Sequence, residues 1–341
     1  GSEMCIRDSL KNQQLANIQR EKSQPFGMAL RVMTRYMYGD GHAYANPYSG
    51  TGYEATVKEL TRKDMVSFYD RWMKPNNSVI TVVGDVDMKT LTDKLEDLFG
   101  KWKKGDVPTK NIGEVNMKTK NTLYLMDRPE SQQSVIISGH TSKPYGAVSE
   151  VSREAAIDVL GGQFTSRVNM NLREDKHWSY GAGSILFGAK GPRSFIVYAP
   201  VQTDKSGESA QEIIKEVKQF VGDKPVTQAE LDKVKTNSVL QLPGQWETNN
   251  SVSNSVNNIV KYDLADDYYQ TYDQSVRSLT LKQVNATAKE LIRPADMNWF
   301  IVGDKAKIMD KLKEIGFDEI IEIDPDGNPV NPSGEIKIEG K

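Results

Sequence analysis

A chain of 341 residues is long enough to form two domains, each with its own hydrophobic core. Its 44 basic and 46 acidic residues nearly cancel, which argues against a nucleic-acid or anionic-membrane binder. No apolar run reaches the roughly 18 residues of a membrane span, and the single cysteine, Cys5, excludes an intrachain disulfide.

The amino-terminal part is expected to be a foreign leader followed by helix. Residues 1–9 open with Gly-Ser, a common remnant of tag removal, and carry no pattern that connects them to the following helix. Helical periodicity runs over residues 10–38, with a bend expected near Pro25 because proline disturbs a helix interior. A Gly-rich turn and an irregular segment at 42–52 follow.

Three elements are predicted between residues 60 and 102. A helix is expected over 61–73, where Thr61 and Asp64 have the spacing of a capping box. The β-branched run at 78–83 predicts a buried strand. An amphipathic helix is expected over 88–102, because its leucines fall on one stripe.

Residues 103–120 are polar, contain Pro108 and Gly113, and are predicted to be an interdomain linker. Beyond the linker, strands and helices are interspersed. The predicted strands are 122–126, 134–138, 180–188, 194–200 and 298–302. The predicted helices are 149–160, 165–175, 208–221, 228–240, 251–262, 281–291 and 306–315. The Pro/Gly/Asn-rich stretch after Asp324 is expected to be a loose tail.

Two stretches of the chain, residues 60–85 and 279–304, repeat one pattern at a constant offset of 279 − 60 = 219. Each reads as a helix, a proline and a β run that ends in Val-Gly-Asp. A repeat this long is a whole domain rather than a solenoid unit, since solenoid periods are about 20 to 50 residues. If the complete copy begins near Asn121, then 121 − 219 = −98, so the first copy is expected to lack roughly a hundred residues upstream.

The fold class expected from these elements is α+β, with two related sandwich domains. Because strands and helices do not alternate strictly, each domain should have a mostly antiparallel sheet with helices packed on one face. The expected division is a foreign leader at 1–9, an incomplete first domain at 10–102, a linker at 103–120, a complete second domain at 121–324 and a flexible tail at 325–341.

Catalytic signatures are missing from the sequence. The three histidines, His42, His140 and His177, lie far apart, and no HxxEH or HxxxH places two of them on one helix to hold zinc. No GxSxG, Walker-type loop or GxGxxG after a strand occurs either. Cys5 lies in the presumed leader and is not a credible nucleophile. The sequence thus shows no complete active site and no metal ligands.

One segment does stand out, residues 161–181, which reads GGQFTSRVNMNLREDKHWSYG. Together with the long repeat and the Pro-Asn-Asn…Val-Gly-Asp stretch at 75–85, it resembles the insulinase/pitrilysin family of zinc peptidases (peptidase family M16). The turn YGDGHAY at 38–44 also resembles a motif of that family, in which His42 is a loop residue rather than a zinc ligand. The resemblance implies a fold like that of insulinase and mitochondrial processing peptidase.

Members of this family consist of two halves that close like a clamshell around an unfolded peptide. One half carries HxxEH and zinc. The other half lacks the metal and contributes an Arg and a Tyr seven positions apart, which Arg173 and Tyr180 match, since 180 − 173 = 7. The resemblance therefore implies that Arg173 and Tyr180 bind substrate. The alternative from the residues alone is that Arg173 pairs with Glu174 or Asp175 and that Tyr180 is a core aromatic.

The resemblance is to the carboxyl-terminal, metal-free half. Residues 15–18 read Leu-Ala-Asn-Ile where zinc-binding members have LEEI, and residues 242–248, LPGQWET, resemble the metal-free half. The chain is therefore predicted to bind no cofactor, with zinc expected in a separate catalytic half. Alone it should hydrolyse no peptide. Its compartment is not given by the sequence, although the resemblance favours the bacterial periplasm.

Two functions follow from the resemblance. The chain is either the substrate-binding half of a zinc endopeptidase, with a zinc-bearing half and unfolded peptides as partners, or a non-catalytic paralogue that acts as a structural or peptide-binding subunit. Extended peptides in this family also add a strand to a sheet edge. The strand at 134–138 is one candidate for such an edge, and an ordinary internal strand is the alternative.

Overall fold

The computed structural model describes residues 2–115 and 120–331, with side chains from residue 6 onward. Within these residues, six strands form one sheet in the order β3-β4-β2-β5-β1-β6. The strands are β1 (Thr122–Asp127), β2 (Gln133–Ser142), β3 (Gly183–Leu186), β4 (Arg193–Gln202), β5 (Asn298–Gly303) and β6 (Glu319–Glu322). The predicted strands beyond residue 120 are confirmed, and β6 was not predicted.

The sheet is mostly antiparallel, as expected. β2 pairs antiparallel with both β4 and β5, and β3 pairs antiparallel with β4. Only β1 runs parallel to its two neighbours, β5 and β6. The suggestion that 134–138 is a sheet edge is wrong, because β2 lies between two strands. The apolar–polar alternation of β2 is weak because its serines Ser134 and Ser138 are buried. Ser134 Oγ accepts a hydrogen bond from the hydroxyl of Ser206 at 2.8 Å.

Helices surround the sheet, and most follow the predicted bounds, whereas Glu54–Glu59 and Tyr268–Arg277 were not predicted. The helices are α1 (Ser2–Ser23), α2 (Pro25–Tyr38), α3 (Glu54–Glu59), α4 (Arg62–Trp72), α5 (Met88–Phe99), α6 (Glu150–Ile157), α7 (Arg167–Asn169), α8 (Ser206–Val221), α9 (Gln228–Gln241), α10 (Asn249–Tyr262), α11 (Tyr268–Arg277), α12 (Leu281–Leu291) and α13 (Lys305–Lys313). No helix in the described part of the chain combines the length and apolarity needed to cross a bilayer.

The main core lies between one face of the sheet and helices that follow residue 120. Leu125, Ile136 and Ile301 point from the strands into this core, where Ile213 of α8 and Val284 of α12 meet them. All five side chains are at most 1% exposed. This is the predicted arrangement of helices on one face.

The opposite face of the sheet is covered by α2, which comes from the amino-terminal segment. Met33 of α2 packs in a second core with Tyr124, Ile137 and Phe300. Successive strand residues point to opposite faces, and both faces of the central strands are apolar, so both need a cover. The expectation of helices on one face therefore holds only for the helices that follow residue 120.

The break between α1 and α2 confirms the predicted bend. Pro25 occupies the first turn of α2, and the preceding Gln24 has extended backbone angles. This is the usual place for proline, whose missing N–H costs nothing at a helix start. α1 begins at Ser2 and is continuous through the residues interpreted as a foreign leader.

Residues 61–102, here called the arm, differ from the rest of the chain because none of them is buried and none lies in a strand. The capping box of Thr61 and Asp64 is present, and α4 forms as predicted. The predicted buried strand at 78–83 is wrong, because these residues are not in a strand and Val79, Ile80 and Val82 are exposed. A strand needs neighbours for its backbone N–H and C=O groups, and no described strand lies beside this segment.

Part of the segment expected to be a loose tail is held against the first two helices. Asp326 forms ion pairs with Lys22 and with the buried Arg31, and Tyr36 donates its hydroxyl to the carbonyl of Gly327 at 2.7 Å. Residues 332–341 lie outside the described part of the chain. The described residues beyond 324 thus join the carboxyl-terminal region to α1 and α2.

Candidate functional site

The unusual segment at 161–181 begins with a glycine pair that lets a helix end approach the sheet. α6 continues into a π-helix over Asp158–Gly162. A Cβ on Gly161 would lie 2.1 Å from the backbone nitrogen of Ser184 in β3. Since real Cβ atoms do not approach so closely, glycine is required here. The contact fixes the start of the segment against the edge strand of the sheet.

Two side chains then hold the segment in shape. Asn169 donates to the carbonyl of Phe164 at 2.6 Å and accepts from the backbone N–H of Ala182 at 3.1 Å. Arg167 donates to both carboxylate oxygens of Glu230, each at 2.7 Å. Burial tends to raise the pKa of Glu230, but the hydrogen bonds from Arg167 and Thr227 lower it below its usual value. Arg167 is therefore a structural tie to α9.

Arg173 lies near the end of a second π-helix, Met170–Asp175. Its guanidinium carbon lies 4.6 Å above the ring centroid of Phe164, and its Nε is 3.3 Å from Glu174 Oε1. The alternative pairing with Glu174 is thus present. Both side chains are about 40% exposed, so this ion pair contributes little. The stacking on Phe164 orients the guanidinium and leaves N–H groups available at its edge.

Tyr180 is 85% exposed, so the alternative interpretation of it as a core aromatic is wrong. The backbone on either side of it is anchored. Ser179 pairs with Val201 as an isolated β-bridge, and its hydroxyl donates to the carbonyl of Pro200 at 2.6 Å. The N–H of Trp178 donates to the carbonyl of Leu172 at 2.9 Å. A fixed backbone therefore presents a free phenol.

His177 ties the two candidate residues into one loop. Its φ of 57° lies in the left-handed region, which is unusual for a residue with a side chain. Its ring Nδ1 lies 3.1 Å from the carbonyl oxygen of Arg173, and Gln202 donates its side-chain amide to the carbonyl of His177. No hydrogen bond between Arg173 and Tyr180 themselves is found within 2–115 and 120–331. The sequence motif identified both residues but did not reveal Phe164 or Asn169 as their supports.

The other two histidines also form their hydrogen bonds mainly with backbone groups. His42 accepts from the N–H of Tyr44, and its Nε2 lies 3.0 Å from the carbonyl of Gly113. His140 is 1% exposed and accepts from the N–H of Arg293, and burial lowers its pKa to about 4. Across the described residues, no group of three or more His, Cys, Asp or Glu side chains is arranged to hold a metal ion. This donor set does not fit a zinc site.

Residues 15–18, which stand where zinc-binding relatives are expected to have glutamates, lie within α1. Ile18 is fully buried, and neither it nor Ala16 has an atom that ligates zinc. Glu21 follows within the same helix, but its carboxylate accepts from Arg31 and from the hydroxyl of Thr51. Its carboxylate is thus already engaged in an ion pair.

Several solved structures share the fold of this chain. The chain is 20% identical to a peptidase M16 inactive domain from Pseudomonas fluorescens, with a TM-score of 0.79 over 87% of this chain and 70% of that one. A protease from Helicobacter pylori matches with a TM-score of 0.73 and 20% identity, over 88% of this chain and 71% of that one. At these identities the matches show the fold alone.

Sequence relatives carry two kinds of name. An uncharacterized zinc protease from Mycobacterium leprae is 25% identical over 75% of this chain and 57% of its own length. The non-peptidase homolog YmxG of Helicobacter pylori is 22% identical over 88% of this chain and 68% of its own length. An uncharacterized zinc protease of Rickettsia felis is 25% identical over 54% of this chain and 43% of its own length, so the chain spans about half of such relatives.

The family profile described as the peptidase M16 inactive domain matches residues 59–238, which is just over half of the chain. The match includes the glycine pair, the loop of Arg173 and Tyr180, and α8 of the main core. The chain belongs to the peptidase M16 inactive domain family.

Proposed function

We propose that the chain is the substrate-binding, zinc-free half of an M16 zinc endopeptidase that degrades unfolded peptides. The observation that carries this proposal is the anchored loop that presents Arg173 and an 85% exposed Tyr180. A tyrosine so exposed makes no packing contribution that would explain its placement. An anchored backbone with a free phenol is what a ligand-binding group requires.

The chemistry of the two side chains fits a peptide backbone. A guanidinium oriented by Phe164 donates to peptide carbonyls in a fixed geometry. A phenol hydroxyl donates to the oxyanion that forms when water attacks the scissile carbonyl. Among the described residues no group of three or more His, Cys, Asp or Glu side chains is arranged to hold a metal ion, so in this proposal a zinc-bearing half provides the water-activating group when the two halves close.

The arm supports a second part of the proposal, that residues 10–102 belong to a first domain completed by other polypeptide. Its apolar side chains at Met65, Phe68 and Ile80 are each more than half exposed. In the packed repeat the equivalent strand is β5, which has β1 on one side and β2 on the other. The arm segment 78–83 would accept two strands in the same way.

The alternative function is a non-catalytic subunit with a structural or peptide-binding role. The match to a protein named a non-peptidase homolog, over 88% of this chain, favours it. Both functions predict that the chain alone binds no stoichiometric zinc and cleaves no peptide. Elemental analysis that found one zinc per chain would contradict both.

Reconstitution separates the two functions. The chain is mixed with a zinc-bearing M16 half, and cleavage of an unstructured fluorogenic peptide is followed. Under the peptidase proposal, Tyr180→Phe should lower kcat about a hundredfold, as removal of one oxyanion donor does. Arg173→Ala should mainly raise KM, because it removes backbone binding.

Matched surface variants serve as controls in the same assay. Arg277→Ala removes an arginine whose side chain is 63% exposed and paired with Asp273. Tyr69→Phe removes the hydroxyl of a tyrosine that is 56% exposed on the arm. Both should cleave at the unmodified rate. If Arg173 and Tyr180 variants also cleave at that rate, the chain acts only as a scaffold.

A further inference from the structure

A cleft of about 700 Å³ lies apart from the Arg173 loop and shares no lining residue with it. It is enclosed by the end of α2 with its following turn, the linker, the β3–β4 turn and α10. Its volume is within the range of small-molecule sites, roughly 300 to 1,000 Å³. Its aromatic lining residues are Tyr38, Tyr44, Tyr48, Trp72 and Phe187.

The wall of the cleft is held by hydrogen bonds from separate segments. Tyr38 donates its hydroxyl to the carbonyl of Pro192 at 2.8 Å and accepts from Ser194 Oγ at 3.0 Å. Gly191 donates its N–H to the hydroxyl of Tyr44 at 3.3 Å. Burial raises the pKa of Tyr38 to about 12, so its hydroxyl stays protonated and keeps these contacts.

Close packing also fixes the β3–β4 turn that forms one side. A Cβ on Gly188 would lie 2.5 Å from the hydroxyl of Tyr262, and a Cβ on Gly191 would lie 2.4 Å from Ile112 Cγ2. Residues of the linker and of α10 therefore both pack closely against this turn. A cleft bounded by such contacts is preformed and does not need a ligand to open it.

The cleft offers flat aromatic surfaces that are still open. Tyr48 and Phe187 lie with ring centroids 4.4 Å apart, and Tyr48 is 48% exposed. Trp72 at the end of α4 faces the same space and is only partly buried. Rings in this arrangement bind another aromatic ring by offset or edge-to-face stacking.

The charge at the cleft is of one sign. Lys110, Lys190 and Lys261 line it, and no aspartate or glutamate is among its lining residues. None of the three lysines forms an ion pair with the described residues, whereas Lys261 Nζ lies 4.8 Å from the ring centroid of Tyr262. A single-sign rim on an apolar cleft attracts a ligand of opposite charge.

We propose that this cleft binds a small aromatic ligand that carries an anionic group, with the rings against Tyr48 and Phe187 and the anion beside Lys110 and Lys190. The proposal does not depend on the peptidase function, because neither Arg173 nor Tyr180 takes part. Aromatic carboxylates of naphthalene size are suitable probes for the site.

Calorimetric titration with 2-naphthoate, and with the neutral 2-naphthamide as its isosteric partner, tests the proposal. We expect saturable one-to-one binding of 2-naphthoate and at least fivefold weaker binding of 2-naphthamide. The double variant Lys110→Gln/Lys190→Gln should weaken 2-naphthoate at least fivefold and leave 2-naphthamide unchanged. Tyr48→Ala should weaken both probes, because it removes stacking area.

Two controls exclude other sites on the chain. The double variant Lys233→Gln/Lys289→Gln removes two exposed lysines elsewhere, and Ile80→Ser alters the apolar arm. Both should bind 2-naphthoate as the unmodified chain does. Absence of saturable binding, equal affinity for the two probes, or weakening only in Ile80→Ser would each overturn the proposal.

Discussion

The two copies of the repeat begin with the same local structure, yet only the second contains buried residues. α4 and α12 both begin with a threonine capping box, at Thr61 and Thr280. Each is followed by a 3-10 turn that starts at a proline, Pro75 or Pro294. After these turns the copies diverge, because 298–303 is the central strand β5 and 78–83 is no strand at all.

The difference shows which elements form from contacts between residues close in sequence and which elements need partners from elsewhere in the fold. A capped helix and a proline turn are satisfied by hydrogen bonds within a few residues, so both copies form them. A strand is satisfied only by other strands. β5 has two neighbours and is buried along its whole length, whereas no residue of α4 or α5 is buried.

The largest expected contrast is between equivalent apolar side chains in the two copies. Ile301 corresponds to Val82, since 301 − 219 = 82. Ile301→Ala should lower the free energy of unfolding by about 2–5 kcal/mol, because Ile301 is fully buried. Val82→Ala should change it by less than about 0.5 kcal/mol, as exposed substitutions do. Urea unfolding followed by circular dichroism measures both, and equal losses would contradict the exposed arm.

The second contrast concerns the pH dependence of stability, which should change with Asp158 in the packed part of the chain but not with Asp64 on the arm. Burial, with the negative charge of Glu154 nearby, raises the pKa of Asp158 to about 6, although a hydrogen bond from Gln163 opposes the shift. The folded state therefore holds this proton more tightly than the unfolded chain. Its contribution to stability is present below about pH 4 and is lost as the pH rises through 6, with a size of at most about 3 kcal/mol.

Asp158→Asn tests this effect. The substitution should remove the part of the pH dependence of unfolding that lies between about pH 4 and 7, and should raise stability at pH 7. Asp64→Asn on the arm is the control, since Asp64 only caps an exposed helix, and it should leave that dependence unchanged. The interpretation fails if both variants keep the dependence of the unmodified chain.

The smallest contrast concerns the two helix caps. Thr280→Ala should lower the free energy of global unfolding by about 1 kcal/mol, because α12 is part of the core. Thr61→Ala removes the same cap from α4, which has no buried residue, and should reduce helicity without moving the unfolding midpoint. Helical ellipticity and the urea midpoint, measured on the same samples, distinguish these outcomes. A shifted midpoint for Thr61→Ala would show that the arm is coupled to the core.

Much of the fold followed from local patterns in the sequence. The capping box of Thr61 and Asp64 and the bend near Pro25 were predicted, because each rests on residues a few positions apart. α11 was missed because only Tyr272 and Val276 of its ten residues are buried, so its sequence shows little helical periodicity of apolar residues. β6 was missed because four residues are too few for a pattern, and β6 exists through its pairing with β1.

The candidate site was only partly predictable. Arg173 and Tyr180 were identified by resemblance, but their exposure and anchoring depend on contacts with Phe164, Ser179 and Gln202 that no spacing rule gives. The cover of α2 over the second face of the sheet likewise depends on tertiary packing. The predicted strand at 78–83 was wrong for the same reason, since strand formation depends on neighbouring strands and none of the described strands lies beside this segment.

The most direct measurement of the central claim is photocrosslinking from position 180. Tyr180→p-benzoylphenylalanine keeps an aromatic group at the exposed site, and Tyr69→p-benzoylphenylalanine places the same group on the arm. Each is mixed with a zinc-bearing half, inactivated by chelation, and an unfolded peptide before irradiation. We predict a peptide adduct at position 180 and none above background at position 69. Absence of an adduct at 180, or equal adducts at both positions, would contradict a substrate-binding role for this loop.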